Sequence, residues 1–233
     1  MGVSPTQIVT RIPTSPMAHR IFIVEDHPVM LEGYVSLLQL EPDLEIVGTA
    51  SNAEDGFGAV TDAAPDLAIV DLRLPGVNGI ELTKRLRAVG STVRILIVSA
   101  HEEALYAERA FKAGAEGYLM KYESAQFVVQ AVRDVLAGRR FVSEQLRSQI
   151  LNQYLDAPSD QPLSVVDSLT DRELEVFELI GKGNTTMQTA EALALSHKTI
   201  ESHRANIKRK LGVKRNPELI RRAVMWVESP LGT

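Results

Sequence analysis

The first half of the sequence contains side chains that could together bind a cation and a phosphoryl group. Three are acidic, Glu25, Asp26 and Asp71, while Ser99 supplies a hydroxyl and Lys121 an amine. Taken singly, each has an ordinary structural explanation, since Asp forms turns, Ser caps helices and Lys is usually solvated. Clustered carboxylates repel one another, however, and Mg²⁺ is a hard cation that suits them. A carboxylate is also the nucleophile in aspartyl-phosphate chemistry, so a cluster would make Asp71 the candidate phosphoacceptor.

The chemistry requires a fold that brings these side chains together. Five short apolar runs alternate with segments of helical periodicity, which predicts five strands and five helices in a doubly wound α/β domain. The runs cover residues 21–24, 44–47, 67–70, 93–98 and 116–120. Strands buried on both faces are typical of a parallel sheet covered by helices. Because ligands bind at the carboxyl ends of such strands, the five polar side chains are expected at one edge, with Asp71 near the middle.

Composition limits the other possibilities. The chain has 233 residues and no cysteine, which excludes disulfides, thiolate catalysis and zinc–cysteine sites. Residues 1–155 carry 14 Lys and Arg against 19 Asp and Glu, a net charge of −5, whereas residues 168–233 carry 11 against 8, a net charge of +3. No apolar run reaches the roughly 20 residues that span a bilayer. We therefore expect a cytoplasmic protein whose basic C-terminal part binds nucleic acid.

The basic C-terminal part has a purely helical pattern. Thr170 to Glu173 and Thr185 to Gln188 form two capping boxes, and Ser196 is placed to cap a third helix that runs to Gly212. The short turn before Ser196 predicts a helix-turn-helix, followed by a fourth helix. The linker, residues 139–164, is expected to include a helix from Phe141 to Tyr154. Together these patterns predict a small all-α domain after the sheet domain.

The segments VEDHP, IVDLRLPGVNGIEL, ILIVSAH and GAEGYLMK resemble the receiver domain of two-component response regulators. The resemblance implies that Asp71 accepts a phosphoryl group from a sensor histidine kinase. It also implies that Asp26, Asp71 and the backbone carbonyl of Arg73 bind Mg²⁺, with Glu25 acting through a water in the acidic pocket. The residues implied to contact the phosphate or to switch with it are Ser99, Tyr118 and Lys121. For Tyr118, simple packing in an apolar strand is the alternative.

The segments LTDRELEVFELIGKG and TIESHRANIKRKLGV resemble the LuxR-type DNA-binding domain of NarL/FixJ-class regulators. The resemblance places three residues toward base edges, namely Glu201, Ser202 and Ala205. Five others are placed nearer the phosphates, namely Lys198, Thr199, His203, Arg204 and Lys208. An ion pair between Glu201 and Arg204 is an equally good explanation of that glutamate. Thr189 stands where the family usually has a core Ile, and a buried hydroxyl without a partner would destabilise the domain.

These features predict a response regulator with an N-terminal extension at 1–18, a receiver domain at 19–138, the linker, and a LuxR-type domain at 165–228. Phosphorylation is expected to favour a homodimer that binds double-stranded DNA, with RNA polymerase as a further partner. One alternative is a constitutive DNA-binding regulator whose receiver is structural. The other is a phosphohydrolase with Asp71 as its nucleophile. Such enzymes usually have an acid two residues beyond the nucleophile, and here Arg73 holds that position, so we expect no enzyme.

Overall fold

The computed structural model describes residues 18–100, 104–121, 125–144, 146–148 and 165–228. Residues 1–17 of the predicted extension and residues 149–164 of the predicted linker lie outside this part of the chain. The described residues form a sheet-containing unit and a helical unit. Every helix among them is too short or too polar to cross a bilayer.

A parallel sheet forms the centre of the first unit, with the strand order β2-β1-β3-β4-β5-β6. The strands are β1 (His19–Val24), β2 (Leu44–Ala50), β3 (Leu67–Asp71), β4 (Arg94–Ser99), β5 (Gly117–Met120) and β6 (Phe141–Val142). The helices between them are α1 (Pro28–Leu38), α2 (Ala53–Ala63), α3 (Gly79–Ala88), α4 (Ala104–Ala113) and α5 (Ala125–Leu136). The predicted doubly wound fold is therefore confirmed. The order reverses between β1 and β3, and their carboxyl ends flank the crevice where ligands of such sheets bind.

The sheet has six strands rather than the five expected from the sequence. Residues 141–142 pair in parallel with β5, and the Phe141 amide donates to the Glu116 carbonyl at 3.1 Å. Phe141 is buried, so this apolar dipeptide gains more as an edge strand than as the start of a helix. The helix predicted from residue 141 is wrong at its start, although residues 144 and 146–148 are helical.

Alternating side chains of the strands form a core on each face of the sheet. Ile21 and Ile23 pack with α1 and α5, whereas Phe22 and Val24 belong to the core beneath α2, α3 and α4. Period-2 alternation in strands buried on both faces produces this division. The result is a rigid platform that fixes the ends of β1, β3, β4 and β5.

The second unit contains a 3-10 helix (Val165–Ser168) and four α-helices, which are α6 (Asp171–Gly181), α7 (Thr186–Ala192), α8 (His197–Leu211) and α9 (Asn216–Val227). Thr170 and Thr185 form the two predicted capping boxes, and the Ser196 hydroxyl accepts from the Thr199 amide. On α9, the Trp226 ring centroid lies 5.8 Å from that of Phe177 on α6. Thr189 is buried and its hydroxyl donates to the Thr185 carbonyl at 2.8 Å, so the destabilisation expected of a buried hydroxyl without a partner does not apply.

The two units are docked against each other through helix α6. Nine of its residues are buried, including the charged residues Glu173, Glu175 and Glu178. The core beneath α3 and α4 continues into the helical unit and includes Leu174 and Phe177 of α6. An amphipathic helix on a protein surface exposes one face, so burial around α6 reflects contact with both units.

Candidate functional site

The carboxyl ends of β1 and β3 bring the acidic side chains together. Ligand atoms of Glu25, Asp26, His27 and Asp71 all lie within 4.8 Å of one another. Asp71 is the last residue of β3, and its side chain is 2% exposed, while that of Glu25 is fully buried. Gly79 allows the loop after β3 to close over this end, because a Cβ there would lie 2.2 Å from the Asp71 carbonyl oxygen. The predicted acidic cluster is thus formed by two neighbouring strand ends.

Lys121 follows β5 and extends its ammonium into the same cluster. Its Nζ lies 2.7 Å from Asp71 Oδ2 and 2.8 Å from Glu25 Oε1. Burial raises the pKa of Asp71 to about 7; the Lys121 ammonium opposes this shift and the Glu25 carboxylate adds to it. Burial lowers the pKa of Lys121, but Asp71 and Glu25 outweigh that effect, so its pKa lies above the ordinary value. One ammonium shared by two buried carboxylates leaves an excess of negative charge, which favours a bound cation or a proton.

Asp26 and His27 complete the open side of the cluster. The Asp26 side chain is 25% exposed, and its Oδ1 has no aligned hydrogen-bond donor among the described residues. The imidazole Nδ1 of His27 lies 2.9 Å from that oxygen and 3.1 Å from Glu25 Oε1. Sequence reasoning did not single out His27, although its position directly after Asp26 was a signal. A carboxylate oxygen without an aligned donor fits a site that can accept a hard cation.

Ser99 lies on β4, the strand beside β3, and Tyr118 lies on β5, the next strand of the sheet. Ser99 ends β4 and is 1% exposed, and Tyr118 in β5 is fully buried. The register pairs Asp71 with Val98 and Ser99 with Met120, so Asp71, Ser99 and Lys121 end at the same edge of the sheet. Tyr118 packs in the core beneath α4, which is the arrangement expected of a packing aromatic. A role in switching would require this ring to change its surroundings.

Arg73 connects the cluster with the helical unit. Its backbone amide donates to Asp71 Oδ1 at 3.1 Å, and its guanidinium Nη2 donates to Glu178 Oε2 of α6 at 3.0 Å. Burial lowers the pKa of Arg73, but Glu178 and further acidic groups outweigh burial and hold that pKa above its ordinary value. The sequence pointed to the Arg73 carbonyl and to the position of Arg73 two residues beyond Asp71. It gave no signal that the side chain pairs with a residue 105 positions away.

Helix α8 presents most of the predicted DNA-contacting residues on its surface. Those that are exposed are Lys198, Glu201, Ser202 and Ala205, and those that are partly exposed are Thr199, His203 and Lys208. Burial and the nearby Arg172 lower the pKa of His203 below its ordinary value. Except for Ala205, these residues are polar or charged.

Arg204 differs from the other predicted DNA contacts because it is buried. Its side chain is 9% exposed, and its Nε lies 3.8 Å from Glu201 Oε1. The Thr186 hydroxyl donates to the same Glu201 oxygen at 3.0 Å. The alternative ion pair is therefore present at long range, and Arg204 would have to leave its position to reach a phosphate.

Known proteins match both units of the chain. The family model of the response regulator receiver domain matches residues 21–133, and that of the bacterial regulatory proteins of the luxR family matches residues 167–223. The oxygen regulatory protein NreC of Staphylococcus epidermidis is 32% identical over 88% of this chain and 96% of the relative. The transcriptional regulatory protein LnrK of Bacillus subtilis is 32% identical over 84% and 91%. A LuxR-family two-component response regulator from an Aurantimonas species is 36% identical, with a TM-score of 0.58 over 60% of this chain and 99% of that structure. The chain therefore belongs to the transcriptional response regulators that join a receiver domain to a LuxR-type DNA-binding domain.

Proposed function

We propose that Asp71 is the phosphoacceptor of this regulator and that a sensor histidine kinase is the donor. An Asp71 oxygen forms a bond to phosphorus while the bond between phosphorus and the kinase imidazole nitrogen breaks, and the imidazole leaves. The contact of Lys121 Nζ with both Asp71 and Glu25 carries this proposal, because it places a cation where phosphoryl charge would develop. Lys121 would then transfer its contact to a phosphoryl oxygen, and the Ser99 hydroxyl would donate to another.

The cluster also fits Mg²⁺. The Asp26 and Asp71 carboxylates and the Arg73 carbonyl would hold the ion, and Glu25 would bind one of its waters. The buried Asp26 oxygen that lacks an aligned donor supports this assignment. When bound, the ion supplies positive charge that offsets both the clustered carboxylates and the incoming phosphate. Asp71 must be ionised to act as ligand or nucleophile, so protonation and ion binding compete at this side chain.

The surface of α8 would read DNA in the major groove. Glu201, Ser202 and Ala205 would face base edges, while Lys198, Thr199, His203 and Lys208 would lie nearer the phosphates, joined by Arg204 after it moves. A phosphoryl group adds about −1.5 to −2 charges, so it does not attract DNA directly. We propose that Ser99 and Tyr118 respond to it and that a homodimer forms. Its two LuxR-type domains would occupy half-sites about one helical turn apart.

We also propose the domain boundaries stated above, a cytoplasmic location and RNA polymerase as a further partner. A phosphohydrolase is disfavoured because the residue two positions after Asp71 is Arg73, which stays protonated and is held by Glu178. A constitutive regulator with a structural receiver is disfavoured because the acidic cluster and Lys121 are assembled together.

Intact-protein mass spectrometry tests the phosphoacceptor. The full chain is incubated with Mg²⁺ and acetyl phosphate, beside Asp71→Asn and beside Asp66→Asn, whose carboxylate precedes the same strand. One phosphoryl adduct is expected on the wild type and on Asp66→Asn, and none on Asp71→Asn. An adduct that persists on Asp71→Asn would contradict the assignment. DNA affinity before and after phosphorylation would then separate the switch from the constitutive alternative, which predicts equal affinities.

A further inference from the structure

We infer that Glu178 of the DNA-binding unit is a positioning residue for the phosphorylation site and that it acts through Arg73. In the docked arrangement, Glu178 holds the Arg73 guanidinium away from Asp71 and so slows phosphoryl transfer. A phosphoryl group on Asp71 competes with Glu178 for the same guanidinium. This inference rests on the proposed role of Asp71.

The geometry makes Arg73 a direct connection between the two groups. Its amide donates to Asp71 Oδ1 at 3.1 Å, and its guanidinium donates to Glu178 Oε2 at 3.0 Å. The Arg73 side chain is 27% exposed, and that of Glu178 is fully buried. Arg73 therefore links the two groups, because its backbone contacts Asp71 and its side chain contacts Glu178 of α6. Any movement of this guanidinium toward Asp71 requires release from Glu178.

Glu178 can lose Arg73 without becoming an isolated buried charge. The Tyr106 hydroxyl donates to Glu178 Oε2 at 3.1 Å, and Lys182, directly after the end of α6, pairs with Glu178 Oε1. Lys182 moves with α6 if the units separate, so Glu178 keeps one cation in either arrangement. Removing both partners from a buried carboxylate would be far more costly. The exchange of Arg73 between two anions is thus energetically accessible.

The rest of the interface combines the apolar contacts of Leu174 and Phe177 with polar contacts, and it is incompletely packed. Asn78 Nδ2 donates to Glu175 Oε1 at 2.8 Å, and Arg109 Nη1 lies 2.9 Å from Asp171 Oδ1. A cleft of about 370 Å³ between the units is lined by Asn78, Arg109 and Asp171 among other residues. Interfaces of this kind separate more readily than large apolar ones. Loss of one central ion pair can therefore shift the docked population.

Docking leaves the DNA-reading face of α8 open. Lys198, Glu201, Ser202 and Ala205 are exposed although α6 is buried against the receiver. The docking of α6 on the receiver therefore does not act by covering the surface of α8. The contact does reach the loop that carries Arg73. At equilibrium the coupling is reciprocal, so docking disfavours the phosphorylated state by the same factor by which a phosphoryl group weakens docking.

The test measures the rate at which Asp71 is phosphorylated in the full chain. Wild type, Glu178→Gln, Arg73→Gln and the double variant are incubated with Mg²⁺ and acetyl phosphate and followed by intact-protein mass spectrometry. Glu178→Gln keeps the size of the side chain and an acceptor for Tyr106. We expect it to accelerate phosphorylation at least about fivefold, the lower end of typical coupling between two sites. In the Arg73→Gln background the same change is expected to have no effect on the rate.

Lys84→Ala is the matched control. It removes the 2.6 Å contact with Asp171 in the same interface, but the Lys84 side chain is 49% exposed and does not touch Arg73. It should leave the rate unchanged, because exposed ion pairs contribute little. Equal rates for wild type and Glu178→Gln overturn the inference while leaving the proposed function intact. Equal acceleration with and without Arg73 also overturns it, since Glu178 would then act by another route. A wild type that acquires no phosphoryl group overturns both.

Discussion

The buried Asp71 carboxylate makes the stability of the receiver depend on pH in an unusual direction. Its pKa is about 7 in the folded protein against an ordinary value of 3.8. Between these values the folded state holds a proton that the unfolded state has lost. The free energy of unfolding therefore falls as pH rises, and the cost is complete above about pH 7. Asp71→Asn removes this titration. The free energy of unfolding of the variant should therefore rise relative to that of the wild type as pH increases.

The magnitude follows from the two pKa values. A difference of about 3 units corresponds to about 4 kcal/mol at full ionisation, at ~1.36 kcal/mol per unit. At pH 5 the unfolded chain is already ionised at this residue, so part of the cost is present there. Between pH 5 and pH 8, the difference in free energy of unfolding between Asp71→Asn and the wild type should therefore change by about 2 to 3 kcal/mol. Groups that titrate alike in both variants cancel in the difference.

Urea unfolding followed by far-ultraviolet circular dichroism at pH 5 and pH 8, with a chelator present, measures this difference. Asp62→Asn removes an exposed carboxylate from α2 and controls for the loss of one charge. Adding Mg²⁺ at pH 8 should stabilise the wild type and not Asp71→Asn, because an ion that binds only the folded state adds its binding free energy. If the difference between Asp71→Asn and wild type is the same at both pH values, burial does not dominate the Asp71 pKa and the reasoning fails.

Three further predictions concern other parts of the molecule. Lys198→Ala should weaken binding to any duplex and reduce the slope of affinity against salt by about 1, measured by fluorescence anisotropy, while Lys112→Ala on the receiver should leave the slope unchanged. Gly79→Ala should lower the free energy of unfolding, measured in urea, by more than about 2 kcal/mol, because its Cβ would lie 2.2 Å from a backbone oxygen. Gly58→Ala should raise that free energy, because no other atom lies within 4 Å of the added Cβ. Ser196→Ala should lower the free energy of unfolding of the helical unit by about 1 kcal/mol, because the first turn of α8 loses its cap; no change would show that water replaces it.

The sequence predicted the features that depend on local pattern. Apolar runs followed by Asp71, Ser99 or Lys121 specified both the strands and the edge at which these residues meet. The capping box at Thr170 likewise marked the start of a helix to the residue. Patterns of this kind succeed because side-chain periodicity and capping depend on neighbours in the chain.

Features that depend on contact between distant segments were not predictable in the same way. The burial of Arg204 and the pairing of Arg73 with Glu178 arise only after α6 and α8 pack against other elements. From the sequence alone, a charged residue is expected to be exposed to solvent unless its partner is known. Strand β6 was missed because two residues are too few to show a period.

The packing of Trp226 against Phe177 has a spectroscopic consequence. The chain contains a single tryptophan, and it lies on α9 with its ring beside the helix that docks on the receiver. Emission excited selectively from the indole therefore comes from the helical unit alone, while the tyrosines Tyr34, Tyr106 and Tyr118 belong to the receiver. The protein thus contains an intrinsic probe that distinguishes melting of its DNA-binding part from melting of its receiver without any added label.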